Sequence, residues 1–339
     1  MYQEFYGLRE RPFELTANTR FLFLTHRQRE ALSILEYGLL SAKSLTLLIG
    51  DAGTGKTTLL QAALESERCR GVHCVYLNNP MLSAADFVAL LASRFQLGDE
   101  AGRSKSVLLD RLDAKLRQSR VDGQVTALVI DEAQSLSTEL LEEVRLLANI
   151  ETETDKLLPV VLAGQQELAE RLEEPNLRQL KQRVALRCEL EPFTLDDSAA
   201  YIARRIHAAG GVPAEMFTQE AVRLIHERAA GIPRVINVIC DNALVSGMAL
   251  GRRRVERAVV TEVCEDLRLP DLSTRSTPFE VERTPMRNAM EPVMSPPPEL
   301  AAGDEATAGD DAPGASSRFN FRFRWKTPTT LSSPAKVAE

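Results

Sequence analysis

Short apolar runs alternate with stretches of helical periodicity through the first 192 residues. The runs predict strands at 44–49, 73–78, 125–130, 158–163 and 184–190. Runs that are almost entirely apolar are typical of strands buried on both faces, as in a parallel sheet covered by helices. The helical pattern falls at 26–41, 57–68, 83–95, 104–119, 137–150 and 166–183. This alternation predicts a doubly wound parallel sheet in an α/β domain over residues 1–192.

From about residue 193 the strand pattern ends and helical periodicity continues. Thr194 and Asp197 have the spacing of a capping box, which predicts a helix that begins there and ends at Gly210. Further helices are predicted at 218–230, 233–250 and 255–268. Residues 193–269 are therefore predicted to form a small all-α domain.

Beyond Pro270 the composition shifts to Pro, Ser, Thr, Ala and Gly. Residues 270–339 have too few apolar side chains to offset the entropy of ordering, so we predict a disordered tail. One segment of it, RFNFRFRWK at 318–326, alternates aromatic with polar or basic residues. This pattern favours a docking peptide that adds to a partner's sheet edge or lies on an anionic membrane, and an unbound tail is the third interpretation.

A glycine-rich turn follows the first predicted strand and opens a helix. Its sequence, GDAGTGKT at 50–57, matches the pattern GxxxxGK[ST] of phosphate-binding loops. Glycines allow backbone N–H groups to surround phosphates, and the helix N-terminus adds a favourable dipole. The lysine reaches the β- and γ-phosphates and the threonine hydroxyl is a Mg²⁺ ligand. The predicted nucleoside triphosphate site comprises Gly50, Asp51, Ala52, Gly53, Thr54, Gly55, Lys56, Thr57 and Thr58.

Two carboxylates end the third predicted strand. In TALVIDEAQ, four apolar residues carry Asp131 to the carboxyl end of a strand that we expect beside the P-loop strand. There Asp131 can hold Mg²⁺ through water, and Glu132 can polarise the attacking water. The sequence therefore predicts an enzyme that hydrolyses ATP with Mg²⁺ through its own base.

Composition narrows the classes of partner. A net charge of −7 argues against broad nucleic-acid binding. The one dense basic run is GRRRVER at 251–257, which is interpreted either as a DNA contact or as a solvated connection between helices. No apolar stretch has the roughly 18–20 residues that cross a bilayer, and the opening residues do not form a secretory signal. Five cysteines without a CxxC pair suit a reducing cytoplasm. Cys69, His73 and Cys74 lack a fourth zinc ligand and are predicted to be structural.

The order of the motifs carries a family resemblance. The P-loop is followed by VIDEAQ, VVLAGQQEL, LRQLKQRV and GIPRVIN, an order that resembles AAA+ ATPases. The opening FYGLRERPF and the run ALSILEYGLL narrow the resemblance, over residues 1–268, to the general secretion pathway protein A family of ATPases. That family is found with type II secretion, MSHA-pilus and exosortase loci. Its long members continue into a membrane span and a periplasmic peptidoglycan-binding region that this sequence lacks, which leaves a cytoplasmic ATPase as the expectation.

The resemblance also implies roles for polar residues outside the P-loop. Gln165, just past the fourth predicted strand, matches the sensor-1 residue that helps to place the attacking water. Arg234, directly after Pro233, matches the sensor-2 arginine that reaches the γ-phosphate from the helical lid. Arg183 matches the arginine finger offered to a neighbouring subunit, and Arg178 is the rival candidate. A finger supplied in this way implies a homo-oligomeric ring or filament.

Three functions are compatible with these features. The first is an assembly or regulatory ATPase whose protein partner is a secretion, pilus or polysaccharide-export machine, with peripheral contact at the inner membrane through the tail. The second is a DNA-linked AAA+ ATPase similar to transposition regulators, and the third is a nucleotide-gated scaffold with slow turnover. Glu132 counts against the third. Phe13 is left with two alternatives, lining the adenine pocket or packing on the core.

Overall fold

Strands and helices alternate along the first part of the chain, as expected. The structure is a computed structural model that describes residues 1–15, 21–41, 45–78, 82–153 and 155–269. A short helix α1 (Tyr2–Tyr6) precedes the α/β part. Its elements are α2 (His26–Leu40), β1 (Leu45–Gly50), α3 (Lys56–Glu65), β2 (Val72–Asn78), α4 (Ala84–Arg94), α5 (Lys105–Val121), β3 (Val125–Asp131), α6 (Thr138–Leu147), β4 (Val160–Gly164), α7 (Gln166–Arg171), α8 (Arg178–Lys181) and β5 (Val184–Leu190).

The five strands form one parallel sheet in the order β2-β3-β4-β1-β5. Strands β1 and β4 are buried along their whole length and β3 along nearly all of it, whereas the edge strands β2 and β5 alternate buried with more exposed positions. This explains why the three central strands read as continuous apolar runs. The expectation that β3 lies beside the P-loop strand β1 is wrong, because β4 pairs with both and separates them.

The predicted helix at 166–183 is interrupted. Helix α7 ends at Arg171, a 3₁₀ turn spans Pro175–Leu177, and only then does α8 begin. Pro175 is the physical reason, since proline lacks an N–H and disfavours helical backbone at the residue before it. The break places α8 and β5 after a turn instead of at the end of one long helix.

The second part of the described chain is helical, as predicted. It consists of α9 (Leu195–Ala208), α10 (Pro213–Met216), α11 (Gln219–Ala229), α12 (Pro233–Ala249) and α13 (Arg257–Asp266). The capping box at the start of α9 is present, with the Thr194 hydroxyl accepting from the Asp197 N–H and the Asp197 carboxylate accepting from the Thr194 N–H. The short helix α10 escaped the sequence analysis because four residues are too few to show a period.

The sheet and the helical part have separate hydrophobic clusters, and the sequence did not reveal which of them the N-terminal residues join. Two clusters fill the space on the two faces of the sheet, and a third lies among the helices of the second part. Tyr2, Leu8 and Phe13 belong to the third cluster, and the Tyr2 hydroxyl donates to Asp241 of α12. The N-terminal residues therefore pack on the helical part, although they precede the sheet in sequence.

Within the described ranges no helix combines the length and the apolarity that a membrane crossing needs. The predicted disordered tail at 270–339, with its aromatic-basic segment at 318–326, lies outside the described residues.

Candidate nucleotide-binding site

The turn after β1 has the backbone geometry of a phosphate-binding loop. Gly53 and Gly55 adopt left-handed conformations, with φ of 84° and 101°, which only glycine adopts without strain. Helix α3 begins at Lys56, directly after the turn. The Thr54 hydroxyl donates to the Asp51 carbonyl over 2.8 Å and closes the loop on itself. The loop therefore presents a helix N-terminus and free backbone N–H groups to one side, as anion binding requires.

Lys56 is folded against the loop that carries it. Its Nζ donates to the carbonyl of Gly50 over 2.8 Å and to that of Asp51 over 3.1 Å. Burial lowers the pKa of this ammonium, and the nearby carboxylates of Glu132 and Asp131 oppose that shift. An ammonium has three donors, so one remains for a ligand while two fix its position.

Asp131 joins the end of β3 to the P-loop even though β4 lies between their strands. Its carboxylate is fully buried, and its Oδ2 accepts from the Thr57 hydroxyl over 2.6 Å. The same oxygen accepts from the Tyr76 hydroxyl over 2.8 Å, and Oδ1 accepts from the Glu132 N–H over 2.9 Å. The structure thus brings together the two residues that we predicted to share a metal ion, and it adds Tyr76.

Tyr76 was missed in the sequence. It lies on β2 opposite Val129, two residues before the pair formed by Asn78 and Asp131, so Tyr76 and Asp131 share one face of the sheet. Burial, with the Asp131 hydrogen bond second, raises the pKa of Tyr76 well above its ordinary value. The phenol is therefore a neutral donor at physiological pH. Only the pairing register of β2 with β3 could have indicated this contact.

Glu132 is held in a defined position beside Asp131. It has a left-handed backbone, with φ of 55°, and its Oε2 accepts from the Gln134 side-chain amide over 2.6 Å. The other end of that amide, Oε1, accepts from the Gln165 N–H over 3.2 Å. Arg171 in turn donates to the Gln134 carbonyl over 2.8 Å. Gln134 thus links Glu132 with Gln165, and neither Gln134 nor Arg171 was singled out from the sequence.

A cleft of about 360 Å³ lies over the P-loop. Of the predicted residues, Gly53, Thr54, Gly55, Lys56, Thr57, Thr58, Glu132 and Arg234 line it. Gly50, Asp51, Ala52, Asp131 and Gln165 are not part of this lining. Phe13 takes the second of its two alternatives, since it is buried edge-to-face against Phe217 in the helical core, whereas Glu14 and Leu15 reach the cleft.

The helical part closes the cleft by direct contact with the P-loop. The backbone N–H of Arg234, at the start of α12, donates to the Gly53 carbonyl over 3.2 Å. A Cβ on Gly53 would lie 2.7 Å from the Arg234 Cβ, so only glycine permits this approach. Arg234 is itself exposed. The P-loop and the first turn of α12 are therefore in direct contact.

The two candidate finger residues lie away from this cleft. Arg183 is half-buried between α8 and β5, and its charge contributes, after burial, to a lowered pKa of Lys156. Arg178 is exposed at the start of α8. Neither is among the described residues that line the cleft of its own chain. A role for either one at this type of site needs a second copy of the chain.

The basic run and the cysteines are also located. Arg252, Arg253 and Arg254 are exposed in the turn between α12 and α13, and Arg253 stacks over the Phe5 ring at 5.6 Å. Cys69 is buried and Cys74 half-buried, and burial raises the pKa of Cys74 to about 12. Among the described residues no three His, Cys, Asp or Glu side chains form a metal-binding group.

Fold and site together define a class. The AAA domain family matches residues 39–172, from the end of α2 through α7. With its parallel sheet, P-loop and helical second part, the chain has the fold of the AAA+ class of P-loop proteins.

Within that class the chain resembles general secretion pathway protein A. It is 39% identical to General secretion pathway protein A of Aeromonas hydrophila over 255 residues, which are 75% of this chain and 46% of that relative. The chain thus spans about half the length of the relative that it matches.

Solved structures share the fold at low identity. Drosophila ORC bound to DNA has a TM-score of 0.60 at 19% identity, covering 79% of this chain and 66% of that chain. CDC6P from Pyrobaculum aerophilum has a TM-score of 0.55 at 18% identity, covering 73% of this chain and 70% of that chain. The Aeropyrum pernix ORC2 protein, in its ADPNP-ADP complexes, has a TM-score of 0.54 at 16% identity, covering 74% and 71%. Such identities show the fold alone.

Proposed function

We propose that this protein binds ATP with Mg²⁺ in the P-loop cleft and hydrolyses it. The observation that carries the proposal is the 2.6 Å hydrogen bond between Thr57 and Asp131. It brings the first turn of α3 and the end of β3 together, with Glu132 in the wall of the same cleft. A phosphate loop, a metal-binding pair and a candidate base in one cleft are the components that ATP hydrolysis requires.

The residues present fit a magnesium ion. The Thr57 hydroxyl and the Asp131 carboxylate are hard oxygen donors, and Mg²⁺ is typically held by one or two such groups together with phosphate oxygens and water. When bound, the ion would neutralise charge on the β- and γ-phosphates. Thr57 would hold the ion through its hydroxyl, and Asp131 would hold it through water.

The remaining roles are assigned to this chain's own side chains. Lys56 donates to phosphate oxygens, while the Gly50 and Asp51 carbonyls hold its Nζ in position. Glu132 accepts the proton of the attacking water, and the Gln134 amide orients its carboxylate. Gln165, linked to Gln134 by its N–H, helps to place that water.

Two arginines complete the proposed site. Arg234 borders the cleft and touches the P-loop through its backbone, which supports contact of its side chain with the γ-phosphate. Arg183, turned away from its own cleft, serves a neighbouring subunit in a ring or filament, with Arg178 as the alternative. An arginine supplied in trans contributes roughly 10³–10⁵ in rate in well-studied NTPases.

The resemblance to general secretion pathway protein A supports a role in a secretion, pilus or polysaccharide-export machine. We place the ATPase in the cytoplasm, which supplies ATP, with the tail making a peripheral contact at the inner membrane. A DNA-linked ATPase is the second candidate, and the exposure of Arg252, Arg253 and Arg254 favours it. Salt-dependent retention on DNA, lost when these three are replaced by alanine, would support that candidate. A nucleotide-gated scaffold is the third, and rapid phosphate release by the wild-type protein would decide against it.

The test of the proposal is the variant Lys56→Ala. ATP binding by titration calorimetry and phosphate release should both be lost, since no other side chain of the loop supplies a cation to the phosphates. The matched control is Lys105→Ala, which removes an exposed lysine paired with Glu143 on the protein surface. Wild-type binding and turnover in Lys56→Ala would contradict the proposal, as would a loss of both in Lys105→Ala.

A further inference from the structure

Two side-chain amides line the cleft over the P-loop. Gln28, in the first turn of α2, and Asn237, in the second turn of α12, both border it. Only 8% of Gln28 and 6% of Asn237 is exposed, so each amide must keep one orientation to satisfy its polar atoms.

The orientation of Asn237 is fixed by an arginine. Arg205 can only donate, and its Nη1 donates to the Tyr201 hydroxyl over 2.6 Å. The Tyr201 proton is then free to donate to the Asn237 Oδ1 over 2.9 Å. Because Arg205 cannot accept a hydrogen bond, the Tyr201 hydroxyl accepts from Arg205 and donates its own proton to Asn237. The Asn237 oxygen therefore faces Tyr201. Its NH₂ group is therefore the end that remains for the cleft.

Arg205, the first donor in this series of hydrogen bonds, is itself immobilised. Arg205 is 6% exposed, donates to the carbonyls of Pro12 and Glu14, and its guanidinium lies 4.8 Å from the centre of the Phe21 ring. The N-terminal segment and α9 thus meet at one buried cation, which keeps Tyr201 in place. The orientation of Asn237 depends on a network that reaches back to Pro12.

The orientation of Gln28 is fixed in a different way. It is the third helical residue of α2, and its Oε1 accepts from the Thr25 N–H over 3.1 Å as part of a capping box. A backbone N–H can only donate, so the oxygen must face Thr25 and the NH₂ group must point elsewhere. Among the described residues no partner is seen for that NH₂ group. Two donors thus remain, one on each side of the cleft.

These donors belong to the part of the cleft lining that lies outside the phosphate loop. Asn237 follows Arg234 by three residues on α12, which places both on one face of the helix, and Arg234 is the residue that touches Gly53. The lining outside the loop also includes the aromatic rings of Phe21 and Phe193. Flat apolar walls with two oriented donors suit a planar heteroaromatic ring whose edge carries acceptors.

We propose that Gln28 and Asn237 recognise the nucleobase by donating to its ring acceptors, and that the base is a purine, adenine in the case of ATP. Purine edges present nitrogen acceptors to such donors. The inference rests on the proposed function, since it concerns the base of the nucleotide whose phosphates the P-loop binds. Arg205 and Tyr201 also border the cleft, and their hydrogen bonds turn the Asn237 oxygen towards Tyr201 so that the NH₂ group is offered to the base.

The test exchanges each donor for an acceptor of the same size. Asn237→Asp keeps an oxygen for Tyr201, and Gln28→Glu keeps an oxygen for Thr25, because a capping box accepts either residue. Both variants should therefore fold. Affinity is measured for ATP and for inorganic tripolyphosphate, which has the phosphates without the base. Asn242→Asp is the control, since it adds the same charge to an exposed position of α12 that does not line the cleft.

In both variants the loss of affinity for ATP should exceed the loss for tripolyphosphate by about tenfold or more, the effect of one buried donor replaced by an unpaired acceptor. Asn242→Asp should show no such difference. Equal losses for the two ligands in either variant would overturn the inference, because the added charge would then act on the phosphates alone. No loss in either variant would overturn it as well, because the side-chain amide would then not contact the base. Failure of the proposed function is distinct: Lys56→Ala would then keep its affinity for both ligands.

Discussion

The hydroxyl of Tyr76 provides a test of how Asp131 is held. Tyr76→Phe removes one oxygen atom and leaves the ring, so packing is unchanged and a single hydrogen bond is lost. Asp131 is fully buried and accepts three hydrogen bonds, from Thr57, Tyr76 and the Glu132 N–H. The stability of the variant therefore measures how much one of the three hydrogen bonds to this buried carboxylate contributes to the free energy of unfolding.

The expected magnitude follows from the charge of the acceptor. A hydrogen bond to a charged group contributes about 1.5–3 kcal/mol to the free energy of unfolding. In a domain of this size each kcal/mol shifts Tm by roughly 2–4 °C. Without nucleotide, Tyr76→Phe should lower Tm by roughly 3–12 °C. With Mg²⁺ and ATP bound, the difference should shrink, because the cation then supplies Asp131 with a positive partner.

The assay is calorimetric unfolding of both proteins with and without Mg²⁺ and ATP. The control is Tyr37→Phe, since Tyr37 is 52% exposed on α2 and its hydroxyl contributes little. A difference between Tyr76→Phe and wild type that is the same in both conditions would refute the link between Tyr76 and the nucleotide site. An unchanged Tm without nucleotide would show that the hydrogen bond itself contributes nothing.

Two further predictions concern pH and assembly. Burial raises the pKa of Tyr6 to about 12 and that of Tyr76 also above 10.0, so these phenols keep their protons in the folded chain where the unfolded chain loses them. The free energy of unfolding, measured by denaturant titration, should therefore fall as pH rises above about 10. The fall should be less steep in Tyr76→Phe, and a free energy of unfolding that does not change with pH in this range would contradict the prediction. Arg183→Ala and Lys56→Ala should each be inactive, yet their mixture should regain partial ATPase activity, because some interfaces pair an intact P-loop with an intact finger. If the two co-assemble without activity, Arg183 is not the finger.

The elements that the sequence predicted well are those determined by local patterns. The strands begin and end within two residues of their expected positions, because each apolar run is bounded by polar residues or glycine. The P-loop was equally clear, since Gly53 and Gly55 occupy left-handed backbone positions that few other residues tolerate. The prediction of one helix over 166–183 was wrong because Pro175 interrupts it in spite of a favourable helical period.

The contacts that the sequence could not predict join residues that are far apart along the chain. The placement of β3 beside β1 failed because strand order is set by crossover connections and not by the strands themselves. Tyr76 meets Asp131 only through the register of two strands. The link from Arg205 to Asn237 depends on how α9 packs on α12. Such meetings of side chains leave no periodic signal in the sequence.

The most direct test of the account measures ATP binding and phosphate release on the same samples of wild type and Glu132→Gln. Glu132 borders the cleft beside Asp131, and the exchange to glutamine keeps its shape while removing the proton acceptor. We expect wild-type affinity for Mg²⁺ and ATP in the variant and phosphate release slower by roughly 10²–10⁴. Phosphate release at the wild-type rate in Glu132→Gln, or none in wild type above the Lys56→Ala background, would contradict it.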